Sequence, residues 1–216
     1  MKIVLGNKRY SSWSLRGWLA LKQSGFAFDE QVFPMDTPEW ARAKTDARLM
    51  PSGTVPVVWD GDVAVWESLA IIEWLADRVG RAKFWPEDDA PRALARSMAA
   101  EMHAGFAPLR QHCPMNTGRT YPSFKLTPEV EKNIGRIDAL WREALQVDAG
   151  EGPYLFGAFG AADIMFAPVV SRFRTYDILV SDTSEAYAAA MMAHPWMREW
   201  YAAADKESWR LERIEY

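Results

Sequence analysis

The chain has 216 residues, 49% of them hydrophobic, which is enough to bury a sizeable core in one or two globular domains. The formal net charge of −4 is small and the two signs are interleaved, which argues against a nucleic-acid or membrane-surface partner. The single cysteine, Cys113, excludes an internal disulfide framework and a multi-cysteine metal site. We expect a cytoplasmic protein, since no apolar run is long enough for a signal peptide or a membrane span.

The first part of the chain, residues 1 to about 80, alternates predicted strands and helices. An apolar strand at residues 3–5 precedes a helix that stops at Gly25. A strand at 28–33 and a helix at 38–48 follow. Two short β-rich runs around Asp60-Gly61 then predict a hairpin, and a helix capped by Ser68 ends at Gly80. The order βαβαββα predicts a small mixed sheet covered by helices.

The rest of the chain is predicted to be helical. Residues 81–91 have a linker composition, and apolar residues then recur at helical spacing. The predicted helices span residues 92–110, 128–145, 161–176, 184–192 and 195–205. The predicted fold class is therefore α/β plus all-α, with an α/β domain at residues 1–80, a linker at 81–91 and an all-helical domain at 92–216.

Two adjacent serines, Ser11 and Ser12, fall where the first helix begins. The first turn of a helix has unpaired backbone N–H groups and the positive end of the macrodipole. A serine oxygen there either caps the helix or donates to a bound anionic ligand, and residue type alone leaves both readings open.

Four features in this order resemble the cytosolic glutathione transferases over nearly the whole chain. The segment YSSWSLR at residues 10–16 is similar to the Ser-Ser-x-Ser-x-Arg signature of the serine-type, zeta-like members. The segments PSGTVP at 51–56 and ESLAI at 67–71 look like the glutathione-binding elements of the family. RSMAAEMHAGFAPLR at 96–110 is similar to the helix that opens the second domain in bacterial members. The resemblance implies a thioredoxin-like first domain.

The resemblance also implies how glutathione binds. The backbone of Val55, before a cis Pro56, pairs with the cysteinyl part of glutathione like an added strand. Ser68 at a helix start donates to the γ-glutamyl carboxylate and Glu67 orients the amine, although both also fit an ordinary helix cap. Thr54 stands where many relatives carry Lys or Gln for the glycyl carboxylate. That contact is therefore either weaker here or supplied by Arg42, Lys44 or Arg48.

The chemistry implied is stabilisation of the glutathione thiolate by a serine hydroxyl at the helix start. By resemblance Ser11 is the first choice and Ser12 the near alternative, with the Trp13 N–H as a helper. Candidates for the electrophile pocket come from the helical region, and packing in the core is the competing interpretation for the first two of them. They are Met102, Phe106, Arg110, Arg172 and Tyr176, with Arg174 as an alternative arginine.

Three further features stay outside this predicted site. Cys113 is interpreted as an inert or solvent-facing thiol. His103, His112 and His194 show no metal-ligand spacing, and no metal is expected. Gly160 stands where relatives usually have Ser or Thr, so only the Asp163 half of a capping box is predicted at the start of that helix.

The expected function is a glutathione transferase acting on small electrophiles, with glutathione as co-substrate, as in detoxification enzymes. One alternative is a glutathione-dependent isomerase of the maleylacetoacetate type, or a reductase. Another is a non-catalytic binding module on the same fold. By resemblance we expect a homodimer, with residues 92–110 as the contact face.

Overall fold

A computed structural model describes residues 1–216 and confirms the predicted order βαβαββα followed by helices only. The first part contains β1 Lys2–Gly6, α1 Ser12–Ser24, β2 Asp29–Phe33, α2 Pro38–Thr45, β3 Val57–Asp60, β4 Val63–Trp66 and α3 Ser68–Val79. The second contains α4 Asp89–Ala104, α5 Ala107–His112, α6 Pro128–Leu145, α7 Ala161–Tyr176, α8 Asp182–Ala193 and α9 Pro195–Asp205. Short 3₁₀ turns lie at Arg81–Lys83 and Glu212–Ile214.

The sheet has four strands in the order β2-β1-β3-β4. β1 pairs with β2 in parallel, because the crossover helix α1 joins them, and β3 pairs antiparallel with both β1 and β4. The β3–β4 hairpin has a two-residue loop, Gly61-Asp62, with Gly61 at φ 61° as a tight hairpin turn requires.

Helix α1 lies between the sheet and the helical part of the chain. Ser11 is its N-cap and Gly25, at φ 80°, terminates it. The Arg16 Nε donates to the carbonyl of Met165 on α7 at 2.9 Å. Almost every residue of α1 is buried, so the start of this helix is positioned by both parts of the molecule.

Two predicted helix features are wrong. The helix predicted at residues 92–110 is two helices, because Gly105 is extended and Phe106 adopts a left-handed φ of 56° between α4 and α5. Ser68 is the first residue of α3 rather than its cap. Glu67 holds the cap position at φ 68°, with no capping bond from its side chain.

The other element boundaries shift by a few residues, and Asp163 accepts from the Gly160 N–H at 2.8 Å as the half capping box predicts. The domain boundaries at 1–80, 81–91 and 92–216 stay predictions. No helix combines the length and the apolar composition needed to cross a bilayer.

Candidate active site

The first turn of α1 carries the two serines that the sequence singles out. Ser11 Oγ accepts from the Ser14 N–H at 3.3 Å and donates to Ser14 Oγ at 2.7 Å. Ser14 Oγ in turn accepts from the Gly6 N–H at 2.9 Å, which fastens this turn to the end of β1. Ser11 is therefore a helix cap whose hydroxyl both accepts and donates within this turn.

Ser12 lies in a different environment from its neighbour. Its Oγ accepts from Nη2 of Arg172 on α7 at 3.2 Å, and its hydroxyl proton has no protein acceptor. The backbone N–H groups of Ser12 and Trp13 likewise donate to no protein atom. An oriented hydroxyl and two free amides thus meet at the positive end of a helix dipole.

Arg172 is held rigidly. Its side chain is 3% exposed, its Nε donates to the Cys113 carbonyl at 2.9 Å and its Nη1 to the Pro168 carbonyl at 3.2 Å. No carboxylate pairs with it. Burial lowers the pKa of Arg172 to about 10, so the guanidinium stays charged at neutral pH.

Two more arginines surround the indole of Trp13. The Cζ of Arg16 lies 4.3 Å from the Trp13 ring centroid and that of Arg110 lies 5.4 Å from it. Both terminal nitrogens of Arg16 and the Nε of Arg110 are buried without a protein acceptor. Burial, and then the nearby Arg172 and Arg110 charges, lower the pKa of Arg16 well below its usual value. The region is strongly electropositive.

A cavity of about 450 Å³ opens over these groups, between α1, α5, α7 and the C-terminal segment. Three arginines and no carboxylate line it. The lining residues are Tyr10, Ser11, Ser12, Trp13, Met35, Ala107, Arg110, Gln111, Pro114, Met115, Arg172, Leu211, Arg213 and Ile214. The cavity therefore suits a small anionic or polarised molecule placed against the start of α1.

The C-terminal segment, residues 206–216, forms one wall of this cavity. The Glu207 carboxylate accepts from the backbone N–H groups of Lys8 and Arg9 at 2.7 and 3.0 Å. The Glu215 carboxylate accepts from Tyr10 Oη at 2.6 Å and from Arg119 Nε at 2.7 Å. The segment is thus fastened at both ends next to the serine turn.

The other predicted glutathione-binding elements lie at the same end of the sheet as the start of α1, where β3 begins and β4 ends. The Val55–Pro56 peptide bond is cis, and Pro56 packs against Gly17 of α1. The Glu67 carboxylate lies 3.6 Å from His103 Nε2. Ser68 is fully buried, with its Oγ 3.8 Å from the sulfur of Met165. Thr54 is exposed and its hydroxyl is 2.7 Å from that of Ser52.

Only two of the five electrophile-pocket candidates, Arg110 and Arg172, line the cavity. Met102 and Phe106 are packed in the core, as the competing interpretation predicts. Tyr176 is also buried there and donates to the Pro114 carbonyl at 2.9 Å. Cys113 is buried, not solvent-facing, and burial raises the pKa of its thiol to about 11.

Sequence reasoning did not find the cavity wall formed by residues 211–214. No local pattern could indicate it, since these residues reach the site only through the fold. The segment SLR at residues 14–16 belongs to the predicted helix start, but its sequence does not indicate that Arg16 is buried beneath Trp13. No three or more His, Cys, Asp or Glu side chains are grouped so as to hold a metal ion.

The fold and the cavity define a two-domain class in which a thioredoxin-like domain is joined to a helical one. The chain belongs to the glutathione S-transferase family. Its N-terminal-domain model matches residues 10–78 and its C-terminal-domain model matches residues 70–203.

Named relatives support this membership. Glutathione S-transferase GstB of Escherichia coli K12 is 28% identical over 125 residues, 56% of this chain and 60% of that protein. The probable maleylacetoacetate isomerase of Vibrio cholerae is 32% identical over 164 residues, 68% of this chain and 71% of that protein. The match to GstB thus spans about three fifths of that protein's length.

Solved structures share the fold. A glutathione transferase homologue from Burkholderia with bound glutathione has a TM-score of 0.71 and 19% identity, covering 95% of this chain and 98% of the other. A zeta-class maleyl pyruvate isomerase has a TM-score of 0.71 and 21% identity, covering 96% and 100%.

Proposed function

We propose that this protein is a glutathione transferase that holds the glutathione sulfur as a thiolate at the start of α1. The observation that carries the proposal is the electropositive cavity into which Ser11, Ser12 and Trp13 project opposite Arg110 and Arg172. A thiolate is the nucleophilic form of a thiol, and fixed cations and N–H donors close to the sulfur favour this anion.

Glutathione is proposed to bind along the edge formed by the cis-proline turn and the start of α3. The backbone N–H and C=O of Val55 pair with the cysteinyl part, and Pro56 fixes that turn. Ser68 donates to the γ-glutamyl carboxylate at the N-terminus of α3, Glu67 meets the amine, and Thr54 lies near the glycyl end. The Ser68 hydroxyl leaves the sulfur of Met165 when it binds this carboxylate.

The reaction proposed is substitution at a small electrophile. The thiol proton passes to water, and the sulfur lone pair forms a carbon–sulfur bond. The leaving group, a halide in the simplest case, departs with the electron pair of the bond that breaks. The protein supplies orientation and a fixed positive field, and no general base is needed.

The test pairs binding with turnover. We expect millimolar or tighter uptake of glutathione by calorimetry, retention on immobilised glutathione, and conjugation of an activated aromatic chloride. Ser68→Ala weakens glutathione binding by roughly tenfold, the loss of one charge-assisted hydrogen bond. Thr183→Ala, which removes an exposed hydroxyl on α8, is the matched control. Absence of uptake by folded protein would reject the proposal, and uptake without turnover of any electrophile would favour the binding-module alternative.

A second candidate, isomerisation of a carboxylate-bearing cis alkene, is favoured by Arg110 and Arg172, which line the cavity without a carboxylate partner. The third lining arginine, Arg213, pairs with Asp36 at 2.8 Å. Every nitrogen of Arg172 already donates to a protein atom. In Arg110 only Nη1 donates, to the His103 carbonyl at 3.4 Å, which leaves Nη2 for a substrate carboxylate. The thiolate adds to the double bond, the new single bond rotates, and elimination regenerates glutathione. We expect Arg110→Met to raise KM for a maleyl-type substrate more than for a neutral one. Equal effects on both substrates would argue against this role.

The assembly and location are also proposed. A homodimer is expected by family membership, with α4 and α5, which cover the predicted contact face, as the interface. Cytoplasmic location suits a buried, reduced Cys113. Light scattering at micromolar concentration tests the dimer, and a monomer would refute it.

A further inference from the structure

The two serines at the start of α1 differ in whether their hydroxyl protons already have a hydrogen-bond acceptor in the protein. The Ser11 hydroxyl donates to Ser14 Oγ, and its oxygen accepts from the Ser14 N–H, so both functions of this hydroxyl are used within the helix turn. The Ser12 oxygen accepts from Arg172 Nη2, and its proton has no acceptor. Ser12 is 8% exposed and lines the cavity, so this proton is directed to what the cavity holds.

Arg172 fixes that arrangement. Two backbone carbonyls, of Cys113 and Pro168, hold its Nε and Nη1, which leaves Nη2 directed at Ser12. A cationic donor on the Ser12 oxygen makes the hydroxyl a stronger donor in turn, because hydrogen bonds in a chain polarise one another. No backbone carbonyl of this turn accepts a hydrogen bond from the Ser12 hydroxyl.

The groups around Arg172 leave its charge uncompensated. Those facing it are Arg16 on α1, Arg110 on α5, Tyr176 on α7, and Cys113. Burial raises the pKa of Cys113 to about 11 and also raises the pKa of Tyr176, so both are neutral at physiological pH. A buried cation without a counterion is costly, and an anion bound at Ser12 would offset that cost.

We propose that Ser12, not Ser11, donates the hydrogen bond to the glutathione sulfur, and that Arg172 is a positioning residue that orients and polarises the Ser12 hydroxyl. This inference rests on the proposed function. It assigns Ser11 to capping α1 and Arg110, rather than Arg172, to the electrophile. The thiol loses its proton to water, and the anion that remains is stabilised by the Ser12 hydroxyl, the free N–H groups of α1 and the Arg172 charge.

The experiment titrates the thiol of bound glutathione by the ultraviolet absorbance of its thiolate across pH, at saturating glutathione. In Ser12→Ala and in Arg172→Met we expect the midpoint to rise by about one pH unit or more, a tenfold loss of thiolate at pH values below both midpoints. Ser12→Thr, which keeps the hydroxyl, restores a midpoint near that of the unaltered protein. Ser11→Ala lowers thermal stability, with a smaller shift of the midpoint than Ser12→Ala, and Thr183→Ala is the silent control.

A merely structural role would not change the pH profile in this way. At pH values above all midpoints, we expect turnover of Ser12→Ala to approach that of the unaltered protein, because the thiolate is then fully formed. Should Arg172→Met fail to fold, the comparison of Ser12→Ala with Ser11→Ala decides alone.

The outcomes separate this inference from the proposed function. Binding and thiolate formation in the unaltered protein, with a larger midpoint shift in Ser11→Ala than in Ser12→Ala, would assign the donor role to Ser11 and overturn the inference. A midpoint that neither substitution moves would overturn it as well. If the unaltered, folded protein takes up no glutathione, the proposed function fails and this inference with it.

Discussion

The contact between Gly17 of α1 and Pro56 permits a quantitative prediction. A Cβ added at Gly17 would lie 2.6 and 2.7 Å from the Cβ and Cγ of Pro56. Ordinary carbon contacts are about 3.5–4.0 Å, so Gly17→Ala forces the helix and the proline turn apart by roughly 1 Å. The proline ring is part of the backbone and cannot rotate away as a flexible side chain could.

The expected change in the free energy of unfolding of Gly17→Ala is the sum of two opposing contributions. Overpacking of this kind destabilises the protein by about 1–3 kcal/mol, and replacing glycine by alanine inside a helix stabilises it by roughly 0.5–1 kcal/mol. The matched control is Gly135→Ala in α6, where an added Cβ meets no atom within 4 Å and only the gain applies. The difference between the two variants therefore isolates the overpacking cost of about 1–3 kcal/mol.

Urea unfolding of both variants measures this difference, and calorimetry with glutathione measures its effect on the site. Because Val55 and the serine turn lie on opposite sides of the Gly17 contact, we expect roughly tenfold weaker glutathione binding in Gly17→Ala. Equal unfolding free energies in the two variants would refute the packing argument. Lower stability with unchanged binding would refute the link between this contact and the site.

Three further predictions concern buried or fastened groups. Burial raises the pKa of Asp163 to about 6, although its hydrogen bonds lower it, so folding favours the protonated carboxyl. The free energy of unfolding therefore falls by roughly 3 kcal/mol as pH rises from 4 through 6. Asp163→Asn removes this step from the urea midpoints, and absence of the step in the unaltered protein would show that the carboxyl titrates normally. Burial raises the pKa of Glu215, but hydrogen bonds from Tyr10 and Arg119 outweigh burial, so the pKa lies below its usual value. Its contribution is thus present at neutral pH and lost in acid, and we expect Glu215→Gln to increase amide exchange in residues 206–216 at pH 7; unchanged exchange would contradict this. A thiol-specific disulfide reagent should modify Cys113 only after unfolding, and modification of the native protein would show the thiol to be accessible.

Much of the fold was predictable because local patterns determine it. Alternating and helical periodicities fixed the element order, and Asp60-Gly61 predicted the hairpin. The break between α4 and α5 has local signals, Gly105 at the end of α4 and Pro108 in the first turn of α5, but the apolar periodicity continues across it and favours a single helix. Phe106, between the two helices, adopts a left-handed conformation. No propensity of phenylalanine favours that conformation.

The candidate site was predictable only in part. The hydroxyl-rich helix start is local, so the sequence indicates it directly. The hydrogen bond from Arg172 to Ser12 joins residues 160 positions apart, and the cavity wall at residues 211–214 depends on the path of the C-terminal segment. The tertiary arrangement alone distinguishes the environments of Ser11 and Ser12.

Helix α1 serves as the interior of both parts of the molecule. One of its faces meets Pro56, while Arg16 bonds to α7 and Trp18 packs 5.4 Å from Trp200 of α9. Neither part can lose its structure while the other keeps a filled core, so we expect melting in one cooperative transition. During synthesis, the face of this helix that contacts α7 and α9 stays uncovered until those helices have left the ribosome.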